Sequence, residues 1–167
     1  MRVSDRFLNY VKIYTASALD VEETPSTACQ FDLSRKLAAE LREIGMSEVY
    51  EDEHAYVYAV LPASAGYEDK PCMGLIAHID VVPDFPAENV RPQLHPNYDG
   101  GDIHLGPTGR GLSPKTFPRL KKLVGQTLIT TDGTTVLGAD DKAGVAEIMT
   151  ACETIIKNDL PHGKIAV

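Results

Sequence analysis

Hydrophobic positions recur at helical spacing in three segments of the chain. The first segment follows Ser4, which can cap a short helix, and the second opens at residues 25–27 and stops at Gly45. The third segment, behind Gly144, has the most regular spacing. The predicted apolar faces are Phe7, Tyr10, Val11 and Tyr14; Phe31, Leu37, Leu41 and Ile44; and Val145, Ile148, Met149, Cys152, Ile155 and Ile156.

Other hydrophobic runs have the pattern of β-strands. Residues 55–61 alternate between polar and apolar, whereas residues 72–79 are almost continuously apolar, which is typical of a strand buried on both faces. Residues 127–131 form a third run, closed by a turn at residues 132–133. The mixture predicts an α/β fold with a mixed central sheet flanked by helices.

Two segments bear on the domain organisation. Residues 81–125 are rich in proline and glycine, and we expect an irregular excursion there with a short hairpin. Residues 164–167 begin a strand directly after a helix. One interpretation is a short edge strand at the end of the domain. The interpretation we favour is that the chain is the front part of a longer protein.

Charge and composition exclude some functions. The 167 residues include 16 basic and 24 acidic side chains, a net charge of −8, which argues against a general nucleic-acid binder. No apolar run is long enough to span a bilayer, and no signal peptide is visible. Cys29, Cys72 and Cys152 lack CxxC spacing and fit reduced thiols of a cytoplasmic protein.

His78 is a candidate metal ligand at the end of the apolar run, and Asp80 is the neighbouring carboxylate that could orient it. Residues i and i+2 of a strand share a face, and ligands bind at the carboxyl edge of open α/β sheets. Imidazole is a good zinc ligand, and a neighbouring carboxylate can orient it. A polar pair that merely ends a strand is the alternative, because this short pattern also arises by chance.

Asp140 and Asp141 precede the third helix, and two interpretations are open. One aspartate can cap the helix, which the spacing alone favours, or a carboxylate held there can bridge two metal ions. The other histidines have no paired ligand at a fixed offset, and no nucleotide-binding motif or GxSxG motif is present. The histidines expected at the surface are His54, His95, His104 and His162.

Several strings, taken together and in order, resemble the peptidase T family. They include AHID at residues 77–80, GQTLITTDG at residues 125–133 and LGADDKAG at residues 137–144, and the resemblance runs from Phe7 to the last residue. Members of that family are cytoplasmic tripeptide aminopeptidases of bacteria, within a wider group of di-zinc exopeptidases.

The resemblance implies roles for three residues. His78 corresponds to a ligand of one zinc, Asp80 to the catalytic aspartate that steadies that imidazole, and Asp140 to the carboxylate that bridges both zincs. The peptide bond after the bridging residue is cis in the wider group. The family's general-base glutamate, its other zinc ligands and its lid domain correspond to positions beyond residue 167. Residues 1–167 are therefore expected to be a partial catalytic domain that is inactive alone.

The function implied is release of the N-terminal residue from short peptides, with two zinc ions in the complete site. Alternatives are another metal-dependent exopeptidase, an N-acyl amino acid deacylase, or a non-catalytic fragment that acts as a binding or scaffold module. We expect short peptides as partners, no nucleic acid and no membrane, and self-association through an open sheet edge.

Overall fold

The computed structural model describes residues 1–167 and contains three α-helices and eight short strands. None of the helices is both long enough and apolar enough to cross a membrane. Two stretches of 3₁₀ helix cover Gly106–Thr108 and Pro118–Leu123. The elements are α1 (Val3–Tyr10), α2 (Gln30–Ile44), β1 (Ser47–Glu51), β2 (Val57–Leu61), β3 (Met73–Gly74), β4 (Gln93–His95), β5 (Ile103–Leu105), β6 (Arg110–Leu112), β7 (Leu128–Thr130), α3 (Ala139–Lys157) and β8 (Ile165–Ala166).

The chain forms two compact units, and the first contains the central sheet. This unit comprises residues 1–83 and 138–167, and its strands are ordered β1-β2-β8-β3. The pairs β1–β2 and β2–β8 are antiparallel, while β3–β8 is parallel. The predicted mixed sheet with flanking helices is confirmed.

β8 lies inside this sheet, so the interpretation of residues 164–167 as an edge strand is wrong. Ile165 pairs with Leu61 on one side and with Met73 on the other. The predicted burial of residues 72–79 on both faces is also wrong, because Ile76 is 93% exposed. Only β3 pairs within this run, and the residues after it are half-buried on one face.

The helices begin at other residues than the sequence predicts. α1 starts at Val3 without a side-chain cap, and Tyr14 is exposed rather than on its buried face. α2 starts at Gln30, because the Thr27 hydroxyl donates to the carbonyl of Ala16 instead of capping the helix. Its predicted end is confirmed, since Gly45 has a φ of 97° in the left-handed region.

The second unit comprises residues 84–137 and contains the predicted hairpin. β5 and β6 pair antiparallel, and Tyr98, Ile103 and Leu120 form a small core. The predicted strand at residues 127–131 is present as β7, but it pairs with β4 in a separate two-stranded sheet. Local pattern identifies a strand without identifying its partner.

A buried ion network ties α1 to the other two helices of the first unit. Arg6 is 1% exposed, and its guanidinium donates to Glu40 at 2.7 Å, to Glu153 at 3.0 Å and to the hydroxyl of Thr150 at 2.8 Å. The Tyr10 hydroxyl donates to the other oxygen of Glu40 at 2.6 Å. A buried guanidinium requires such partners, because an unpaired buried charge is very costly.

Replacing Arg6 by methionine should destabilise the chain by about 3 kcal/mol, because two carboxylates lose their buried cation. Urea denaturation followed by circular dichroism measures the change. Arg2→Met is the matched control, since Arg2 pairs with Asp5 at the exposed surface, and it should leave the midpoint unchanged. Equal effects of the two variants would contradict the role given to the network.

Glu153 should make the chain less stable in acid. Hydrogen bonds from Lys157, the N-terminal ammonium and Arg6 lower the pKa of Glu153 to about 2. The unfolded chain therefore binds this proton near its ordinary pKa of 4.5, before the folded chain does, and stability falls as the pH falls from 4.5 through 2. Denaturation at a series of pH values should show that the free energy of unfolding falls less steeply with decreasing pH in Glu153→Gln than in the wild type. Glu147→Gln, at an exposed position of the same helix, should retain the wild-type slope.

Candidate metal centre

His78 lies between two aspartates from distant parts of the sequence. Its Nε2 is 2.9 Å from Oδ1 of Asp140, and its Nδ1 is 3.1 Å from Oδ1 of Asp80 and 3.0 Å from the Asp80 carbonyl oxygen. The predicted proximity of His78 and Asp80 is present. The structure adds Asp140, which lies 62 residues further along the chain.

The backbone around His78 is fixed by the segment that precedes α2. Thr15 is fully buried, and its hydroxyl donates to the carbonyl of Ile79 at 2.8 Å. The N–H of Val81 donates to the Thr15 carbonyl at 3.1 Å, and the N–H of Ser17 donates to the Val81 carbonyl at 3.0 Å. These bonds hold the stretch that carries His78 at a point where no strand of the sheet pairs with it.

The two aspartates before α3 have different roles. Asp141 accepts the N–H of Gly144 at 3.0 Å, as a helix-capping side chain does, whereas Asp140 makes no capping bond and faces His78. Neither residue has helical backbone angles, and the peptide bond between them is cis, as the resemblance implies. The capping contact is therefore made by Asp141, and the Asp140 carboxylate is left to face His78.

Two glycines, Gly138 and Gly144, allow close contacts around the start of α3. Gly138 has a φ of 74°, and a Cβ there would lie 3.0 Å from the Val81 side chain. A Cβ on Gly144 would lie 2.5 Å from the Asp141 carboxylate that caps the helix. A larger residue at position 138 would separate the start of α3 from the stretch that carries His78, whereas one at position 144 would displace the capping carboxylate of Asp141.

The charges at the site favour a protonated imidazole in the chain without metal. Partial burial lowers the pKa of His78, but the hydrogen bond to Asp140 and the charge of Asp80 outweigh it, and the net pKa is raised. Both ring nitrogens face carboxylate oxygens, and only an imidazolium donates from both. A metal ion that binds Nε2 must displace this proton, so binding should be weaker in acid.

Lys142 is a buried neighbour that the sequence analysis missed. It is 2% exposed, and its ammonium donates to the carbonyl of Ile13 at 2.7 Å. Burial lowers the pKa of Lys142 to about 8, although the charges of Cys29 and Asp80 act in the opposite direction. No periodic signal predicts this burial, because a lysine directly after an aspartate pair resembles an ordinary solvated charge.

The donor atoms fit part of a zinc site. His78 offers an imidazole nitrogen and Asp140 a carboxylate oxygen, the donor types that zinc accepts, and the Asp140 side chain is 96% exposed. No group of three or more histidine, cysteine or acidic side chains is arranged to hold a metal ion. The three cysteines form no disulfide, and the other four histidines do not join the pair.

Comparison with known proteins finds relatives that are about half identical to this chain and considerably longer than it. No family model matches the chain. A peptidase T from Bacillus pumilus is 51% identical over 164 residues, which is 97% of this chain and 40% of that protein. A peptidase T from Edwardsiella ictaluri is 52% identical over 163 residues, which is 98% of this chain and 39% of that protein. The chain thus spans about two fifths of the length of these relatives.

Solved structures agree in fold. The aminopeptidase PepT from Bacillus cereus superposes on this chain with a TM-score of 0.63 at 23% sequence identity. The match covers 99% of this chain and 34% of the PepT chain. A tripeptidase from Staphylococcus aureus gives a TM-score of 0.63 at 24% identity, with the same coverage. The sequence identities and the shared fold together identify the chain as a relative of peptidase T along nearly all of its length.

Proposed function

We propose that the chain forms part of a zinc-dependent aminopeptidase that releases the N-terminal residue from short peptides, in particular tripeptides. The observation that carries the proposal is the placement of His78 Nε2 at 2.9 Å from Asp140. The names of the relatives, peptidase T and tripeptidase, supply the substrate class. Three free cysteines support a cytoplasmic location.

Each of the three residues has a distinct task in this proposal. His78 and Asp140 would hold the zinc, and Asp80 would fix the orientation and the tautomer of the imidazole. Bound zinc supplies an acidified water and polarises the peptide carbonyl. The side chains of His78 and Asp140 are 52% and 96% exposed, so a peptide can reach them from solvent.

The 167-residue chain alone does not complete this site. A catalytic zinc normally takes three protein ligands, and the chain offers a single nitrogen and a single carboxylate. No glutamate contacts the pair to accept a proton from water. We therefore propose that residues 1–167 act as part of a catalytic domain whose other ligands lie in the part of the relatives that the chain does not span.

Asp140→Ala should abolish activity without unfolding the protein. The activity is measured in a chimaera in which this chain replaces the matching part of the Bacillus pumilus peptidase T. In the chain itself, Asp140→Ala should leave the denaturation midpoint unchanged, because its side chain is exposed and caps nothing. Asp141→Ala is the matched control and should lose about 0.5–2 kcal/mol through its cap. A fully active Asp140→Ala chimaera would remove Asp140 from the metal site.

Asp80→Asn should weaken zinc binding and turnover in the same chimaera by about 10–100-fold, because an amide holds the imidazole less firmly than a carboxylate. Zinc affinity is measured by calorimetry alongside tripeptide hydrolysis. Asp84→Asn, at an exposed position four residues further on, serves as control and should change neither. Unchanged affinity and rate in Asp80→Asn would exclude the orienting role.

The chain of 167 residues should not hydrolyse a tripeptide, even when zinc is added, and should bind zinc weakly. The physical reason is the incomplete ligand set around His78 and Asp140. Release of the N-terminal amino acid and calorimetric titration with zinc are the measurements, with the chimaera as positive control. Sustained turnover, or tight binding of two zinc ions per chain, would refute the proposal that further ligands are required.

A further inference from the structure

Lys142 is a buried cation without a carboxylate partner, unlike Arg6 in the same unit. Its side chain is 2% exposed, and its ammonium makes a single hydrogen bond, of 2.7 Å, to the carbonyl of Ile13. An ammonium carries three N–H groups, and a buried charge with one neutral partner is costly. The stability of the core alone therefore does not account for a lysine at this position.

The lysine side chain reaches Ile13 by folding back over the first turn of α3. The backbone N–H of Lys142 donates to the carbonyl of Gly138 at 3.3 Å. A Cβ on Gly138 would lie 3.7 Å from Cδ and 3.9 Å from Nζ of Lys142, and 3.0 Å from Cγ1 of Val81. Lys142 and Val81 thus both border the space that Gly138 leaves open.

Ile13 begins the segment that fixes the backbone next to His78. Two residues on, the carbonyl of Thr15 accepts the N–H of Val81 at 3.1 Å, and the Thr15 hydroxyl donates to the carbonyl of Ile79 at 2.8 Å. The segment also forms a parallel bridge with Val81 one residue later. A displacement of Ile13 would therefore be passed to residues 79–81, which follow His78 directly.

Two routes lead from Lys142 to the metal pair, by which we mean His78 and Asp140. Along the backbone, Lys142 lies two residues after Asp140. Through its ammonium and the segment from residue 13 to residue 17, it reaches the stretch that carries His78. The two members of the pair are 62 residues apart in sequence, so a side chain that joins both routes fixes one relative to the other.

We propose that Lys142 is a positioning residue, which sets the distance between His78 Nε2 and Asp140 Oδ1 by tying the start of α3 to the carbonyl of Ile13. Its importance for activity rests on the proposed function, since the pair is part of that metal site. Zinc requires its nitrogen and oxygen ligands at about 2.0–2.2 Å, so a small shift between the two sides weakens binding. In this role Lys142 contacts neither the metal nor the peptide.

The first measurement uses the metal-free chain and the NMR signals of the His78 ring. At about pH 5, below the ordinary histidine pKa of about 6.5, the imidazole is protonated and its signals report the contact with Asp140. The shift caused by Asp140→Ala marks complete loss of that contact. Lys142→Met should shift the signals in the same direction by at least half as much. Cys152→Ala, at a buried position of the same helix, is the matched control and should leave them unchanged.

A double-mutant cycle tests the route through the first segment. Thr15→Val removes the hydroxyl that donates to Ile79 and keeps the shape of the side chain. This variant retains Lys142 and should also shift the His78 ring signals. Because both residues act in one series of contacts, the double variant should shift them no further than the larger single change. Additive shifts, or no shift in Thr15→Val, would overturn the proposed route, since independent effects add.

Zinc affinity in the chimaera with the Bacillus pumilus peptidase T separates position from charge. Removal of a nearby cation by itself strengthens the binding of a metal cation. Loss of the positioning contact acts in the opposite direction, and Lys142→Met should weaken zinc binding about ten-fold by calorimetry. Tighter zinc binding with unshifted His78 signals would identify a charge effect and overturn the proposal. A fully active Asp140→Ala chimaera would instead refute the proposed function, while the metal-free measurement would still decide the role of Lys142.

Discussion

The hydrogen bonds that fix residues 73–81 are the constraint on which the rest of the first unit depends. At one end, Met73 and Leu75 donate to the backbone of the stretch that contains β8, and at the other end Val81 pairs with the segment around Thr15. His78 lies between these two anchors and has little freedom to move along the chain. Without either anchor, this exposed stretch would behave as a loop, because the sheet alone covers only two of its residues.

At the start of α3, two adjacent aspartates make two contacts that one carboxylate could not make at once, a helix cap and the contact with His78. A capping carboxylate must point back along its own helix, whereas a carboxylate that meets His78 must point away from it. Asp141 bonds the N–H of Gly144 and leaves Asp140 directed at His78. Gly138 allows this corner to approach Val81 closely. Helix stability and the geometry of the pair are thus maintained by neighbouring residues with independent contacts.

Buried cations hold the framework behind the site. Arg6 joins α1 to α2 and α3, and Lys142 joins the start of α3 to the carbonyl of Ile13. Their partners lie far away in sequence, and each buried cation therefore fixes a tertiary contact rather than a local turn.

The sequence by itself determined the features that depend on neighbours along the chain. The stop at Gly45, the hairpin of β5 and β6 and the shared face of His78 and Asp80 follow from local backbone chemistry and from periodicity. The family resemblance already pointed to Asp140, but only the tertiary structure decided that β8 lies inside the sheet and that Asp140 lies 2.9 Å from His78. Strand partners and contacts across 62 residues depend on burial summed over the whole unit, which no local pattern records.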